Sequence, residues 1–128
     1  MNLGSTGSNG ESYAAEYLQH KGYEIITRNF SSRFGEIDIV CKKDNFIVFV
    51  EVKTRCMAPG EASKYGAPAD AVDRHKRYFL TRAARTYTSL HPTHKKLRFD
   101  VIEVYLSRSE PQKILAVRHM KDAFRAYS

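Results

Sequence analysis

The stretch GEIDIVCKKDNFIVFVEVK, residues 35–53, reads as two β-strands joined by a tight turn. Gly35 opens the first, which runs through Cys41, and Phe46 to Lys53 forms the second. Both are rich in Ile, Val and Phe, the residues that suit a pleated, half-buried surface. Lys42 to Asn45 turns the chain. With Asp44-Asn45 as a two-residue turn, Lys43 pairs with Phe46, Asp38 comes opposite Glu51, and Glu36 opposite Lys53. Asp and Asn tolerate the positive φ that such a turn requires. Side chains alternate along a strand, so Asp38, Glu51 and Lys53 emerge on one face. Ile37, Ile39, Cys41, Val48, Val50 and Val52 then form an apolar layer on the other. A four-residue turn offsets the pair but keeps the face, whereas a three-residue turn breaks the pattern.

The juxtaposition is costly. Two carboxylates about 4 Å apart repel by roughly 4 kcal/mol at an effective dielectric near 20, and like charges opposite one another destabilise a sheet. A divalent cation bridging both removes the repulsion. The competing account is a salt-bridge ladder in which Lys53, or Arg55 two residues on, neutralises the pair.

Outward from the hairpin, Ser8 or Asn9 caps a first helix running to about Lys21, with Gly22 at its C′ position. Ala14, Ala15 and Leu18 mark its apolar stripe, and Glu11 falls on the same stripe. Glu11 also suits the first turn of a helix through the macrodipole. Tyr23 to Asn29 reads as a strand and Ser31 to Phe34 as a turn. Thr54 to Pro68, with Pro59, Gly60, Gly66 and Pro68, reads as a long loop. Ala69 to about Leu90 reads as a long helix with Val72, Phe79, Ala83 and Leu90 on one side. Lys76 shares that side, while Arg74, Arg77, Arg82 and Arg85 form a basic outer surface. His91 to Lys96 is a polar connection, and its His91-x-x-His94 has no Cys or carboxylate nearby to make a zinc site. Arg98 to Tyr105 is a strand, Ile114 to Val117 a shorter one, and a short amphipathic helix carrying Met120, Phe124 and Tyr127 ends the chain. The order is that of a mixed α/β sheet flanked by helices.

The chain has 128 residues, 42% hydrophobic and 27% charged, which fits one folded domain without disulfide or metal staples. Residues 1–6 read as a flexible tail and 7–128 as the domain. The 21 Lys and Arg outnumber 14 Asp and Glu, a formal charge of +7 that favours a polyanionic partner, nucleic acid first and acidic membrane second. No stretch approaches the ~20 apolar residues of a membrane span. Met1 to Gly10 has no basic n-region or apolar h-region, so no secretory signal is expected. Cys41 and Cys56 read as reduced thiols, which points to the cytoplasm. The basic groups Lys42-Lys43, Arg74 to Arg77 and Lys95-Lys96-Arg98 are placed to flank a duplex. Tyr13, Tyr17, Tyr23 and Phe30 read as core packing more readily than as base-stacking groups.

Four motifs then occur in a fixed order: Gly7-x-x-Gly10-Glu11, Gly35-Glu36-Ile37-Asp38, Phe49-Val50-Glu51-Val52-Lys53-Thr54-Arg55, and Arg98-Phe99-Asp100-Val101-Ile102. The pattern resembles the YraN-like family of uncharacterised bacterial proteins. That family is similar to archaeal Holliday junction resolvases and to the restriction-endonuclease-like PD-(D/E)XK superfamily. The resemblance runs from Gly7 to about Phe124. It implies a three-layer α/β/α restriction-endonuclease-like fold around a central mixed sheet, and a Mg²⁺ (or Mn²⁺) site. By resemblance, Asp38 and Glu51 are metal ligands, the Val52 carbonyl completes the site, Glu11 joins it, and Lys53 is the catalytic lysine. Arg55 and Lys76 are softer candidates for phosphate contacts, as are Arg77, Lys42 and Lys43. Asp100 is expected to make structural contacts. The implied activity is metal-dependent hydrolysis of DNA phosphodiesters, at branched or flapped structures, with a homodimer as the expected assembly. The alternatives are a non-catalytic nucleic-acid-binding adaptor in recombination, repair or uptake, and an interaction module that binds no nucleic acid.

Overall fold

The computed structural model describes residues 6–57 and 72–125. Among these, five strands form one sheet in chain order: β1 (Glu24–Ser32), β2 (Gly35–Lys43), β3 (Phe46–Met57), β4 (Lys96–Ser107) and β5 (Ile114–Phe124). β3 and β4 run parallel and every other pair is antiparallel, so the sheet is mixed. A parallel pair needs a crossover connection, and α2 (Arg74–Leu90) lies within it. The other helix, α1 (Thr6–His20), precedes the sheet. No described helix is long and apolar enough to cross a membrane.

The helices take opposite faces of the sheet. Ala14, Ala15 and Leu18 of α1 pack with Ile39, Cys41, Val48, Val50, Ile102 and Val104. Leu80, Ala83, Ala84 and Tyr87 of α2 pack with Val40, Ile47, Phe49, Phe99 and Val101. The second core is aromatic. Phe99 stacks on Phe49 and Phe124 at centroid distances of 5.5 and 4.8 Å, and Tyr87 meets Phe49 edge-on at 5.8 Å. Such pairs add about 0.5–1.5 kcal/mol each beyond area burial.

The hairpin register is the one a two-residue turn dictates. Lys43 pairs with Phe46, Cys41 with Val48 and Ile39 with Val50, and Asp44 takes the positive φ, 53°.

Several boundaries differ from expectation, each for an identifiable reason. α1 begins at Thr6, so Ser8 and Asn9 lie within its first turn instead of capping it. Docking against β3, through Gly10, outweighs the local cap preference. Residues 1–5 of the expected tail lie outside the described residues. At the other end Gly22 does act as C′, with φ 91°. Its N–H bonds to the Gln19 carbonyl at 3.0 Å, and the Tyr23 N–H bonds to that of Leu18 at 2.9 Å. β1 extends through Ser32, leaving only Arg33-Phe34 as the turn. β3 extends past Thr54 because β4 runs beside it as far as Met57 and Ser107. Residues 58–68 of the expected loop lie outside the described residues, as do residues 69–71 of the expected helix. α2 starts at Arg74, capped by Asp73, whose carboxylate accepts the Lys76 N–H at 2.8 Å. Leu90, expected on the apolar stripe, is exposed at the helix end.

The expected final helix is a strand. Ile114–Phe124 pairs with β4 throughout, and Tyr127 lies outside the described residues. Met120 pairs with Val101 and Phe124 with Phe99. Four residues of β5 thus span two of β4, with Asp122 at φ 54° in the bulge. That bulge puts Met120 and Phe124 on one face at a spacing that mimics a helical turn.

α1 can approach β3 closely because Gly10 has no side chain. A Cβ there would run into the Thr54 side chain. Gly10→Ala is therefore expected to destabilise the fold by about 1–3 kcal/mol, the usual cost of overpacking. Thr54→Ala in the same chain should recover part of the loss, and urea unfolding of both variants checks this.

Candidate functional site

β2 stays paired to β1 as far as Gly35, and β3 stays paired to β4 as far as Met57. Between β2 and β3, however, the paired ladder ends at Ile39 and Val50. Beyond that rung the sheet forks. One residue further on, the Asp38 carboxylate accepts the Val52 N–H at 2.7 Å. An extended residue presents its N–H and C=O on the same side, so the Val52 carbonyl also faces the fork.

β2 turns over at the same place. Ile39 packs on the α1 side of the sheet, but Ile37 packs on the α2 side. Residues two apart in a regular strand share a face, so the backbone rotates at Asp38. Asn29 on β1, at φ 54°, lies opposite the rotation. Ile37 thereby leaves the apolar layer expected from strict alternation.

The acids meet in this fork. Asp38 and Glu51 lie close enough for the Glu51 carboxyl to act on the titration of Asp38. Burial, then the hydrogen bond and charge of Glu51, push Asp38 up to about 7, against the opposing pull of the Val52 N–H and Lys76. Glu51 is only 5% exposed. Its Oε2 lies 3.3 Å from Lys76 Nζ and 3.9 Å from Lys53 Nζ. Glu11 reaches the same region from α1. Burial and the charge of Asp38 raise it, against Arg28 at 3.9 Å. Glu36 does not come opposite Lys53, because the ladder has ended; it pairs with Ser31 across β1. With its amide nitrogen turned toward them, Asn29 donates to Glu11 Oε1 at 2.9 Å and Glu36 Oε1 at 3.0 Å. Asn29 is a site residue that the sequence reading missed; a lone Asn in an Ile/Thr/Phe strand was its signal. Among the described residues, no three His, Cys, Asp or Glu side chains form a ready-made metal cluster. The donors at hand are the Asp38 and Glu51 carboxyls, the Val52 carbonyl and Glu11.

The softer candidates divide. Lys76 lies on the acid pair, as its inward position suggested. Arg55 is engaged by Glu103 at 3.2 Å, a fully buried carboxylate that also takes Arg118 at 3.7 Å and the Tyr105 hydroxyl at 2.8 Å. Glu103 pairs in register with Lys53, and nothing in the sequence distinguished it from an exposed strand residue. Arg77 braces the start of α2, its Nε donating to the Val72 carbonyl at 3.0 Å and its guanidinium 5.5 Å from the Phe124 ring. The structure does not bring Lys42 and Lys43 to the acids. Lys42 pairs with Glu24 at 3.6 Å, and Lys43 donates to the Lys21 carbonyl, both at the closed end of the hairpin. Asp100 is structural, as expected. Burial would raise it, but His119, Arg98 and the Asp122 N–H hold it below the usual carboxylate range. Phe30 packs edge-on against Tyr87 at 5.3 Å, and Tyr23 is buried. His91 lies against Tyr87 at 4.7 Å. Both cysteines are free thiols, and burial pushes Cys41 up to about 12.

Residues 10–104 match the model of the uncharacterised protein family UPF0102. Relatives described as UPF0102 proteins span nearly the whole chain. One from Caldanaerobacter subterraneus subsp. tengcongensis is 42% identical over 127 residues, covering 97% of this chain and 98% of its own. One from Caldicellulosiruptor saccharolyticus is 39% identical, covering 97% and 100%. One from Clostridium botulinum is 42% identical, covering 92% of each. The chain belongs to UPF0102, the YraN-like family that its motifs resemble.

A carboxyl raised in the folded state binds its proton more tightly there than in the unfolded chain. Asp38 therefore contributes stability at low pH that is lost as the pH rises from its ordinary 3.8 through about 7. In metal-free buffer, thermal melts should show that decline. Asp38→Asn, which keeps an oxygen for the Val52 N–H, should flatten it and raise Tm at pH 8 by about 3–6 °C, the effect of roughly 1 kcal/mol in a domain of this size.

Proposed function

We propose that this UPF0102 member is a divalent-metal-dependent nuclease that hydrolyses DNA phosphodiesters at branched or flapped structures, on a restriction-endonuclease-like α/β/α scaffold. The observation that carries this reading is the sheet fork, where Asp38, held by the Val52 N–H at 2.7 Å, stands beside the buried Glu51 and feels its negative charge. Acidic side chains with only a fold to maintain gain nothing from that arrangement.

The donor set suits Mg²⁺ or Mn²⁺, hard cations that prefer oxygen ligands. Asp38, Glu51 and the Val52 carbonyl would hold the ion, with Glu11 as a further carboxylate from α1. When bound, such an ion polarises a phosphoryl oxygen and lowers the pKa of water. The chain's own groups do the rest. Lys53 and Lys76 approach Glu51 from β3 and α2. Their ammonium groups sit on flexible stems and can shift toward the negative charge that grows on a phosphate under attack. Asn29 and Arg28 hold Glu11 in place. Glu103 draws Arg55 away from the acid pair and leaves Lys53 beside it. The exposed Arg74 on α2 and the net charge of +7 attract a polyanion to the rim.

One observation favours the adaptor reading. Glu51 already has two lysines within 4 Å, so internal cations neutralise part of the pair. An adaptor binds DNA with the steep salt dependence of phosphate contacts and never cleaves it.

Asp38→Asn and Glu51→Gln should each lower Mg²⁺- or Mn²⁺-dependent cleavage of branched and flapped DNA by about 100-fold or more, as loss of a few kcal/mol of transition-state stabilisation implies. Binding measured by fluorescence anisotropy should persist. Cleavage equal to wild type in both variants overturns the assignment, and salt-sensitive binding without any cleavage selects the adaptor.

Mn²⁺ should also raise the Tm of the wild-type chain, because a ligand of the folded state stabilises it by mass action. Glu51→Gln should abolish the increment. An equal increment in the variant would place the ion elsewhere.

A further inference from the structure

At the closed end of the hairpin, away from the fork, lies a cavity of about 180 Å³ lined by Tyr17, Lys21, Tyr23, Lys43, His119 and Lys121. Three of the six are lysines and none is an acid. Among the described residues, no carboxylate pairs with Lys21, Lys43 or Lys121. Lys21 Nζ stands 5.8 Å from the Tyr17 centroid, and Lys43 Nζ stands 5.0 Å from that of Tyr23 while donating to the Lys21 carbonyl, a neutral acceptor. A ring quadrupole orients a cation without cancelling its charge, so the positive potential stays available to a ligand.

The wall behind these lysines is rigid and polar. His119 Nε2 lies 2.7 Å from Asp100, and its Nδ1 lies 3.1 Å from the Tyr17 hydroxyl. Arg98 donates to the Tyr23 hydroxyl at 2.7 Å and to both Asp100 oxygens at 2.8 Å. Accepting from Arg98, the Tyr23 hydroxyl still has a proton to donate. Asp100, the acid nearest in this network, has no exposed side-chain surface and is engaged by a guanidinium and an imidazole. It does not set the sign of the cavity.

We infer that this cavity is a phosphomonoester pocket, which seats the terminal phosphate of a nucleic acid strand or of a mononucleotide. Three lysines around one cavity with no acid in its lining match a dianion better than the single charge of an internal phosphodiester. The cavity is also concave and smaller than the about 300–1,000 Å³ of most small-molecule sites. It fits one phosphate with part of its nucleoside, whereas a continuous duplex backbone would have to bend into it. The pocket lies at the C-terminal end of α1, and Glu11 lies in the N-terminal half of the same helix. Lys21 follows Glu11 by ten residues, about 15 Å along a helix. A strand end seated here would run toward the fork. That link rests on the nuclease reading, but the pocket's own affinity does not.

The test uses the wild-type chain in EDTA, with fluorescent oligonucleotides that carry a 5′-phosphate, a 3′-phosphate or hydroxyls at both ends. AMP and adenosine serve as competitors. A phosphorylated end should bind about tenfold tighter than a hydroxyl end, and AMP should displace it where adenosine does not. Lys21→Ala and Lys121→Ala, both at exposed positions, should each remove most of that preference. Equal binding of phosphate and hydroxyl ends, together with no competition by AMP, overturns the pocket. So does a preference that survives both substitutions. Displacement by AMP with no oligonucleotide preference supports the pocket and makes free nucleotide its ligand. Asp38→Asn should leave the preference intact, so failure of the fork as a catalytic centre and failure of the pocket give different results.

Discussion

The hydrogen bond from the Val52 N–H to the Asp38 carboxylate, 2.7 Å long, stands where a ladder rung between β2 and β3 would otherwise be. A backbone donor removed from water needs a partner. Where β2 leaves β3, the carboxylate supplies one, and a hydrogen bond to a charged acceptor is worth about 1.5–3 kcal/mol. The sheet can therefore part at that point without leaving a buried donor unsatisfied. The same bond favours the ionised form of Asp38 while burial and Glu51 oppose it. One side chain thus satisfies the backbone donor at the fork and stands beside the Glu51 carboxyl.

Rotation of β2 about Asp38 lets two layers meet at one site. In a regular sheet, groups from α1 and from α2 are kept apart by the thickness of the strands. Here Ile37 and Ile39 pack on opposite sides. Glu11 from α1 senses the charge of Asp38, and Lys76 from α2 lies 3.3 Å from Glu51. Asn29 absorbs the distortion on the neighbouring strand with a left-handed backbone, a conformation that Asn adopts more readily than most residues.

The hairpin register was legible from Lys43 back to Ile39 because a two-residue turn leaves no freedom, but the expected Asp38–Glu51 rung does not form: the ladder ends one pair earlier, and Asp38 takes the Val52 N–H instead. Gly22 was legible as a helix stop because its positive φ suits glycine. The misreadings arose where irregular backbone broke the period on which the reading relied. Ile37 was assigned to the wrong face because nothing local announces that a strand turns over. Met120 and Phe124 were read as helical because the bulge at Asp122 spaces them like a helical turn. Glu103 and Asn29 were invisible for another reason. Their partners are 48 residues away for Arg55 and Glu103, or come from α1 and β2 for Asn29, and spacing along the chain does not encode such contacts.

The charge pattern around the buried acids separates structure from chemistry. Asp100 receives Arg98, His119 and a backbone N–H, and ionises more readily than an ordinary carboxylate. Glu103 receives Arg55, Arg118 and a tyrosine hydroxyl. Each is an acid with a full set of donors, as a buried charge requires. Asp38 is treated differently: beside another carboxylate, with one backbone donor, it is pushed up to about 7. A shortage of cations does not explain this in a chain of net charge +7. Arg55, two residues beyond Lys53 on the same strand, passes the acid pair over for Glu103. The fold that satisfies Asp100 and Glu103 leaves the half-buried Asp38 beside the buried Glu51 where β2 and β3 part. Lys76 and Lys53 relieve that conflict only in part, since Asp38 is still pushed up to about 7, and a local conflict within an otherwise consistent structure is where function is expected to reside.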